Sequence, residues 1–196
     1  MCGINGINFS NEKLVKLMNN TIRHRGPDDE GVYFDKNVSF GHLRLSIQDL
    51  SIKGHQPMFY SKNIGACSEK HNRRNMINAR ITIIFNGEIY NFNELKIELQ
   101  NKGYTFNTLT DTEIILAAYI EWGRDCVKRF VGMWAFCIYD MDNEELFLSR
   151  DRFGEKPLYY YLKDKKFIFS SEIKAILKSE IKKEIALIKQ KVERVK

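Results

Sequence analysis

Apolar positions along this chain recur in two rhythms, every second residue in some stretches and every third or fourth in others, and they predict strands and helices respectively. Gly3 to Phe9 sets Ile4, Ile7 and Phe9 among small or polar residues and reads as a strand. Asn11 is placed to cap a helix through Leu14, Leu17 and Met18 to about Asn20. A turn rich in charges and breakers, Arg23 to Asp29, precedes a strand from Gly31 to Phe34. Val38 to Ile47 alternates, with Leu43, Leu45 and Ile47 on one side and His42, Arg44 and Ser46 on the other. Ile81 to Phe85 is a β-branched and aromatic run, hence a buried strand, ending on Asn86-Gly87-Glu88.

Asn91 or Asn93 can start a helix through Leu95, Ile97 and Leu99 that stops near Gly103. Thr110 and Glu113 have capping-box spacing, and the helix behind them, Ile114 to Trp122, is apolar almost all round and so deeply buried. Gly132 to Met141 is apolar on both faces and turns at Asp142-Asn143 into Glu145 to Ser149. Leu158 to Leu162 and Lys166 to Ser170 pair across Lys163-Asp164, and a helix begins near Ser171. Many antiparallel strands with helices able to cover outer faces predict an α+β layered sandwich.

Composition narrows the class. With 196 residues, 43% of them hydrophobic, the chain suffices for one large domain with a substantial core. No apolar run reaches the length of a membrane span, and no signal peptide opens the chain, so the expectation is a soluble protein with the cytoplasm as its address and no membrane partner. The net charge of +6 is localised: residues 61 to 80 carry five basic side chains against one acidic, and residues 178 to 196 carry seven against three. The rest is slightly acidic, and no nucleic-acid partner is expected. Residues 61 to 80 read as a long surface loop, or two short pieces joined by one.

The four cysteines show neither paired nor zinc-ligand spacing, which argues against a metal site or disulfide framework. Cys137 reads as a core residue, while Cys67 and Cys126 read as free thiols. Cys2 differs: removal of Met1 would leave one residue bearing both a thiol and a free α-amine, a nucleophile with its own base. Arg44 is either a solvated charge or a fork for a carboxylate. Asn86-Gly87 is either a hairpin turn, which the dipeptide alone favours, or an oxyanion hole built from a side-chain amide and a backbone N–H. Asp111 is either a first-turn acid that complements the helix dipole or an anion for a substrate ammonium. His24, between two arginines in a turn, reads as structural.

Several motifs in register decide among these alternatives. Cys2-Gly3-Ile4, Arg23 to Asp29, Arg44-Leu45-Ser46-Ile47, His55-Gln56-Pro57, Phe85-Asn86-Gly87-Glu88-Ile89-Tyr90-Asn91, Asp111-Thr112-Glu113, Gly132-Met133-Trp134-Ala135-Phe136 and Arg150 to Tyr160 together resemble the glutaminase domain of asparagine synthetases, from residue 2 to about 177. The resemblance implies a class II glutamine amidotransferase of the N-terminal-nucleophile hydrolase type, a four-layer αββα sandwich of two antiparallel sheets. It also implies Cys2 as nucleophile, Arg44 on the glutamine α-carboxylate, Glu88 and Asp111 on its α-ammonium, and Asn86 with Gly87 as the oxyanion hole. Glutamine hydrolysis would need no metal or cofactor. ATP and Mg are expected only in a synthetase domain or subunit that takes up the ammonia, since the pyrophosphate loop of such domains is absent from these residues. Residues 178–196 read as a basic helical tail or linker toward that partner, and a homodimer stays open. The alternative is a catalytically silent glutamine-binding module with a regulatory or assembly role.

Overall fold

The computed structural model describes residues 1–70, 76 and 78–179. Strand β1 (Gly3–Ile7) is buried throughout and leads into helix α1 (Glu12–Thr21), whose first turn is capped by Asn11 Oδ1 accepting from Leu14 N at 2.9 Å. Strands β2 (Asp29–Phe34) and β3 (Ser39–Arg44) form a hairpin. After strands β4 (Met58–Ser61), β5 (Gly65–Ser68) and β6 (Ile81–Ile89) come helices α2 (Phe92–Asn101) and α3 (Asp111–Trp122). Strands β7 (Gly132–Asp140), β8 (Glu145–Arg150), β9 (Tyr159–Lys163) and β10 (Lys166–Ser170), then the short helix α4 (Ile173–Ile176), complete the order.

Among the described residues, ten strands make two antiparallel sheets of five, ordered β2-β3-β1-β10-β9 and β5-β4-β6-β7-β8. Their inner faces meet through Ile4, Val38, Phe40 and Phe169 of one sheet and Ile84, Ala135, Cys137 and Tyr139 of the other. Phe40 and Tyr139 cross that interface edge to face, with ring centroids 6.4 Å apart. Residues of opposite parity, Ile7, Leu43 and Ile168, pack outward under Val15, Met18 and Ile22 of the α1 segment and Ala175 and Ile176 of α4. On the far side, Ile83, Phe85, Phe136 and Ile138 pack under Leu95, Leu99 and the buried face of α3. The result is the expected four-layer α-β-β-α sandwich. Each fully buried Phe or Ile side chain in these three interfaces contributes about 1.5–3 kcal/mol.

Four local expectations change. Val38–Ile47 is a strand only to Arg44, and Ile47 is 68% exposed. The polar side of β3 is not solvated: it is the face turned toward the second sheet, so His42 and Arg44 are buried. Asn86-Gly87 is not a turn, because β6 runs on through Ile89 in register with β7. The 61–80 stretch carries a hairpin, since β5 pairs back on β4. Residues 71–75 and 77 of that stretch, and 180–196 of the expected tail, lie outside the described residues.

Thr110 Oγ1 does accept from Glu113 N, at 3.4 Å, but Glu113 does not close the capping box. Its carboxylate accepts instead from Ala66 N, Asn107 N, Thr108 N and Thr108 Oγ1. Helix α2 follows Asn91, whose side chain is spent on Arg129 O and Val131 N rather than on a cap. Cys67, Cys126 and Cys137 are all buried, and His24 makes the expected structural contact, a 2.8 Å hydrogen bond to Glu172. No helix among the described residues is long and apolar enough to cross a membrane.

Candidate functional site

The same parity that buries Ile4, Phe40 and Ile84 between the sheets carries Cys2, Arg44, Asn86 and Glu88 to the inner faces at one end of the sandwich. Cys2, Arg44, Gly87, Glu88 and Asp111 line one cavity of about 70 Å3 there, with Gln48, Asp49, Gly54, Gln56, Thr110 and Thr112. A larger cavity of about 700 Å3, flanked by α1, β2 and β4, contains none of the expected site residues.

Departure of β4 from the edge of β6 creates the site's backbone chemistry. The β4 pairing stops at Ile83. Beyond it, side chains take over: Gln56 Oε1 accepts from Phe85 N at 2.7 Å, His42 Nε2 donates to Phe85 O at 3.1 Å, and Asp111 Oδ2 accepts from Ile89 N at 2.8 Å. Burial pushes the His42 imidazole down to about 3, so it is neutral, with the proton on Nε2. In an antiparallel ladder alternate residues point their N–H to the same edge. The Gly87 N–H therefore faces this edge, between Phe85 and Ile89, and no side chain among the described residues accepts it. Trp134, opposite Gly87 in β7, turns the other way and exchanges hydrogen bonds with Asp151.

Gly87 is glycine for packing and not for a turn. A Cβ there would lie 2.3 Å from Met133 O and 2.7 Å from Trp134 Cα. Its neighbour Asn86 is 1% exposed, and its Nδ2 lacks a hydrogen-bond partner among the described residues. Such a buried orphan amide costs about 1–3 kcal/mol, so its retention needs a reason.

Arg44 is held flat by the loop after β3: Nη1 donates to Ser51 O at 2.8 Å and Nη2 donates to Asp49 O. Gly54 lies against the guanidinium, where a Cβ would meet Nη2 at 2.1 Å. Two of five N–H groups are thereby used, and three are left to donate. Asp49 ties this loop to the N-terminus of α3 by accepting from Ser51 N and Leu109 N. Burial opposes its ionisation, but these hydrogen bonds and the Arg44 charge hold the carboxyl below its usual range.

Asp111 differs. Burial and the neighbouring Glu88 charge push its carboxyl up to about 7, although Ile89 N stabilises the anion. Glu88 itself is partly exposed and accepts from Gln48 Nε2 at 3.3 Å. Two acids side by side, with no cation paired to either among the described residues, form a place for a positive charge.

The Cys2 thiol exchanges hydrogen bonds with Leu45, with Sγ 3.4 Å from Leu45 N and 3.6 Å from Leu45 O. Burial pushes its pKa up, offset in part by the Leu45 hydrogen bond, the terminal ammonium and Arg44. The thiol is thus not a standing thiolate, and it needs a proton acceptor to become nucleophilic. Burial also lowers the terminal amine, here that of Met1; Arg25 and Lys156 add to that effect, while Cys2 and Asp28 oppose it. The other cysteines are no rivals. Cys67 is pushed up to about 11 and Cys126 to about 12 by burial, and Cys137 well above the ordinary range.

Sequence patterns alone did not single out Arg25, Gln56 or Lys156. Arg25 Nε donates to Cys2 O at 3.0 Å and fixes the backbone of the candidate nucleophile. Gln56 orders the β6 edge and also donates to Thr112 Oγ1. Lys156 Nζ donates to Met1 Sδ at 3.4 Å. Each lies within a motif already quoted, but each partner is distant in sequence, so nothing local announces the contact.

Comparisons with known proteins place the chain in a family. Residues 1–194 match the profile of a family described as "Glutamine amidotransferase domain". The chain is 47% identical over 202 residues to putative asparagine synthetase (glutamine-hydrolyzing) 2 of Methanocaldococcus jannaschii, covering 98% of this chain and 38% of that protein. It is 40% identical over 183 residues to asparagine synthetase (glutamine-hydrolyzing) 3 of Bacillus subtilis, covering 90% and 27%. The chain therefore spans well under half the length of these relatives.

Among solved structures it resembles glutamine phosphoribosylpyrophosphate amidotransferase from B. subtilis complexed with ADP and GMP. The TM-score is 0.69 at 22% identity, over 89% of this chain and 43% of that one. That likeness establishes the fold, two antiparallel sheets packed between helical layers. By sequence, the chain belongs to the glutamine amidotransferase domain family.

Proposed function

We propose that this chain hydrolyses glutamine to glutamate and ammonia through a thioester on Cys2. The observation that carries the reading is the convergence of Cys2, Arg44, Gly87, Glu88 and Asp111, from four separate stretches of sequence, on one cavity. Their chemistries match the parts of one molecule. The three remaining N–H groups of Arg44 suit the α-carboxylate, and Glu88 with ionised Asp111 suits the α-ammonium. The carboxamide would then reach the Cys2 thiol, with its oxygen toward the Gly87 N–H and the Asn86 amide.

With Met1 removed, the Cys2 α-amine accepts the thiol proton as Sγ bonds to the carboxamide carbon. The oxyanion that forms is held by Gly87 N–H and Asn86 Nδ2. The carbon–nitrogen bond breaks as the α-ammonium returns its proton to the leaving nitrogen, releasing ammonia. A water, deprotonated by the same amine, attacks the thioester, and glutamate leaves as the thiol is restored. Met1 is 52% exposed and so open to removal. While it remains attached, the Cys2 nitrogen is an amide and cannot act as the base.

Two relatives are named as glutamine-hydrolysing asparagine synthetases and are much longer than this chain. The ammonia is accordingly proposed to feed an ATP-dependent amidation of the asparagine-synthetase type in a domain or partner beyond these residues, where ATP and Mg would act. The test is release of glutamate and ammonia from glutamine by protein whose intact mass shows Met1 removed. Cys2→Ala is expected to lower the rate at least about 1,000-fold. Undiminished turnover in Cys2→Ala, or full activity with Met1 retained, would contradict the mechanism. Glutamine binding without ammonia in processed protein would favour a regulatory module.

A further inference from the structure

The loop from Arg150 to Lys156 is built around one carboxylate. Asp151 accepts from Trp134 N, Phe153 N, Glu155 N and Lys156 N, and Arg150 donates to Gly154 O and Lys156 O. Both backbone groups of Lys156 are therefore fixed, and its side chain is delivered to the N-terminus with little freedom. Lys156 is 7% exposed, its Nζ donates to the Met1 thioether, and no carboxylate among the described residues lies within salt-bridge distance. Lysines buried to this degree are almost always paired. This one is not, and packing alone does not call for an ammonium there.

The charged groups acting on the terminal amine are Arg25, Lys156, Asp28 and the Cys2 thiol. Arg44 and Asp111 act on the thiol from the cavity side. Glu172 pairs with Arg25 at 3.1 Å and so partly cancels it. Lys156 is the cation left uncompensated. Loss of Met1 takes away the thioether that Lys156 Nζ meets and frees the α-amine of the adjoining residue, Cys2.

We propose that Lys156 is a positioning residue for catalysis: its ammonium keeps the α-amine of processed Cys2 in the neutral, proton-accepting form near neutral pH. This deepens the reading of Cys2 as nucleophile with its own amine as base, and rests on it. The lowered proton affinity of the terminal amine in the presence of Met1 has burial as its largest cause and Lys156 among the others, in the same direction.

The experiment uses the full chain with Met1 removed, as verified by intact mass, and measures kcat at saturating glutamine from about pH 6 to about pH 9. Saturation holds Asp111 ionised against the substrate ammonium, so the acidic limb reports the amine. In Lys156→Met and Lys156→Gln the limb is expected to move alkaline, with kcat about three- to tenfold lower at pH 7, recovery at about pH 9 and KM unchanged. Lys156→Arg is expected to keep the wild-type limb.

An unmoved limb in the neutral variants, or an equal loss at every pH, would overturn the role of Lys156. The wild type gives a check that needs no variant: its limb must lie below the ordinary α-amine value of about 8, and one at or above it would overturn the proposal. Cys2→Ala separates the two claims. If it is inactive while the limb does not move, only the role of Lys156 fails; if it stays active, the nucleophile assignment fails.

Discussion

Two buried acids on the first turn of α3 face opposite regions of the molecule, and the contrast between those regions separates a structural polar cluster from the candidate binding one. Glu113 is 0% exposed, and four donors on β5 and the preceding loop converge on its carboxylate. Asp111, two residues earlier, has Ile89 N, a like charge beside it and a carboxyl pushed up to about 7. Around Glu113 the fold has satisfied the charge completely. Around Asn86 and Gly87 it has left polar groups without partners among the described residues, and Asp111 has backbone donors but no cation there. Burying such groups costs stability unless a ligand supplies what is missing.

The contrast fails first at Asn86 if it is to fail at all. Because its Nδ2 has no partner to lose among the described residues, Asn86→Ala is expected to lower turnover about 100- to 1,000-fold while leaving the unfolding midpoint nearly unchanged. A large stability loss with modest kinetic loss would make Asn86 a structural residue like Glu113. Next comes the pair of acids themselves. Asp111→Asn is expected to raise KM for glutamine about 10- to 100-fold with stability held or increased. Glu113→Gln sets an amide donor against the N–H groups it served, and is expected to cost about 3 kcal/mol in urea unfolding with KM unchanged in the folded fraction. Similar phenotypes for the two variants would erase the distinction.

The smallest effect is in the pH dependence. A carboxyl raised to about 7 in the folded state takes up a proton there before the unfolded chain does. Ionised Asp111 therefore weakens the fold, and its contribution to stability falls as pH rises from about 4 to about 7. Under the proposed function substrate binding has the opposite sign, because the substrate ammonium would need the anion. KM for glutamine is expected to rise as pH drops below about 7, while Asp111→Asn flattens that dependence. A KM that is level from pH 6 to 8 in the wild type would argue against Asp111 as a substrate contact.

Most of the sandwich was legible in the period-two runs, because strands covered on both faces, such as Gly132 to Met141, leave little room for another reading. The site was legible only as a set. Arg44 reads as a solvated charge until a second sheet covers the face it occupies. Asn-Gly reads as a turn until β7 pairs across it and forbids a Cβ at Gly87. Strands β4 and β5 escaped notice because Met58-Phe59-Tyr60 is short, follows a proline and runs into a basic stretch, so its burial is set by β6 and not by its own pattern. Lys156 was missed for a similar reason, since it meets the terminus 155 residues away.

The nucleophile assignment is tested most directly by labelling processed, Met1-free protein with a glutamine analogue bearing an electrophilic carbon at the amide position, then mapping the adduct by mass spectrometry. Cys2 is expected to be the sole cysteine modified and to be protected by glutamine, because Cys67, Cys126 and Cys137 are buried with their thiol pKa values pushed up. An adduct on one of those three, or labelling of Cys2 that glutamine does not slow, would contradict a glutamine site built on the N-terminal cysteine.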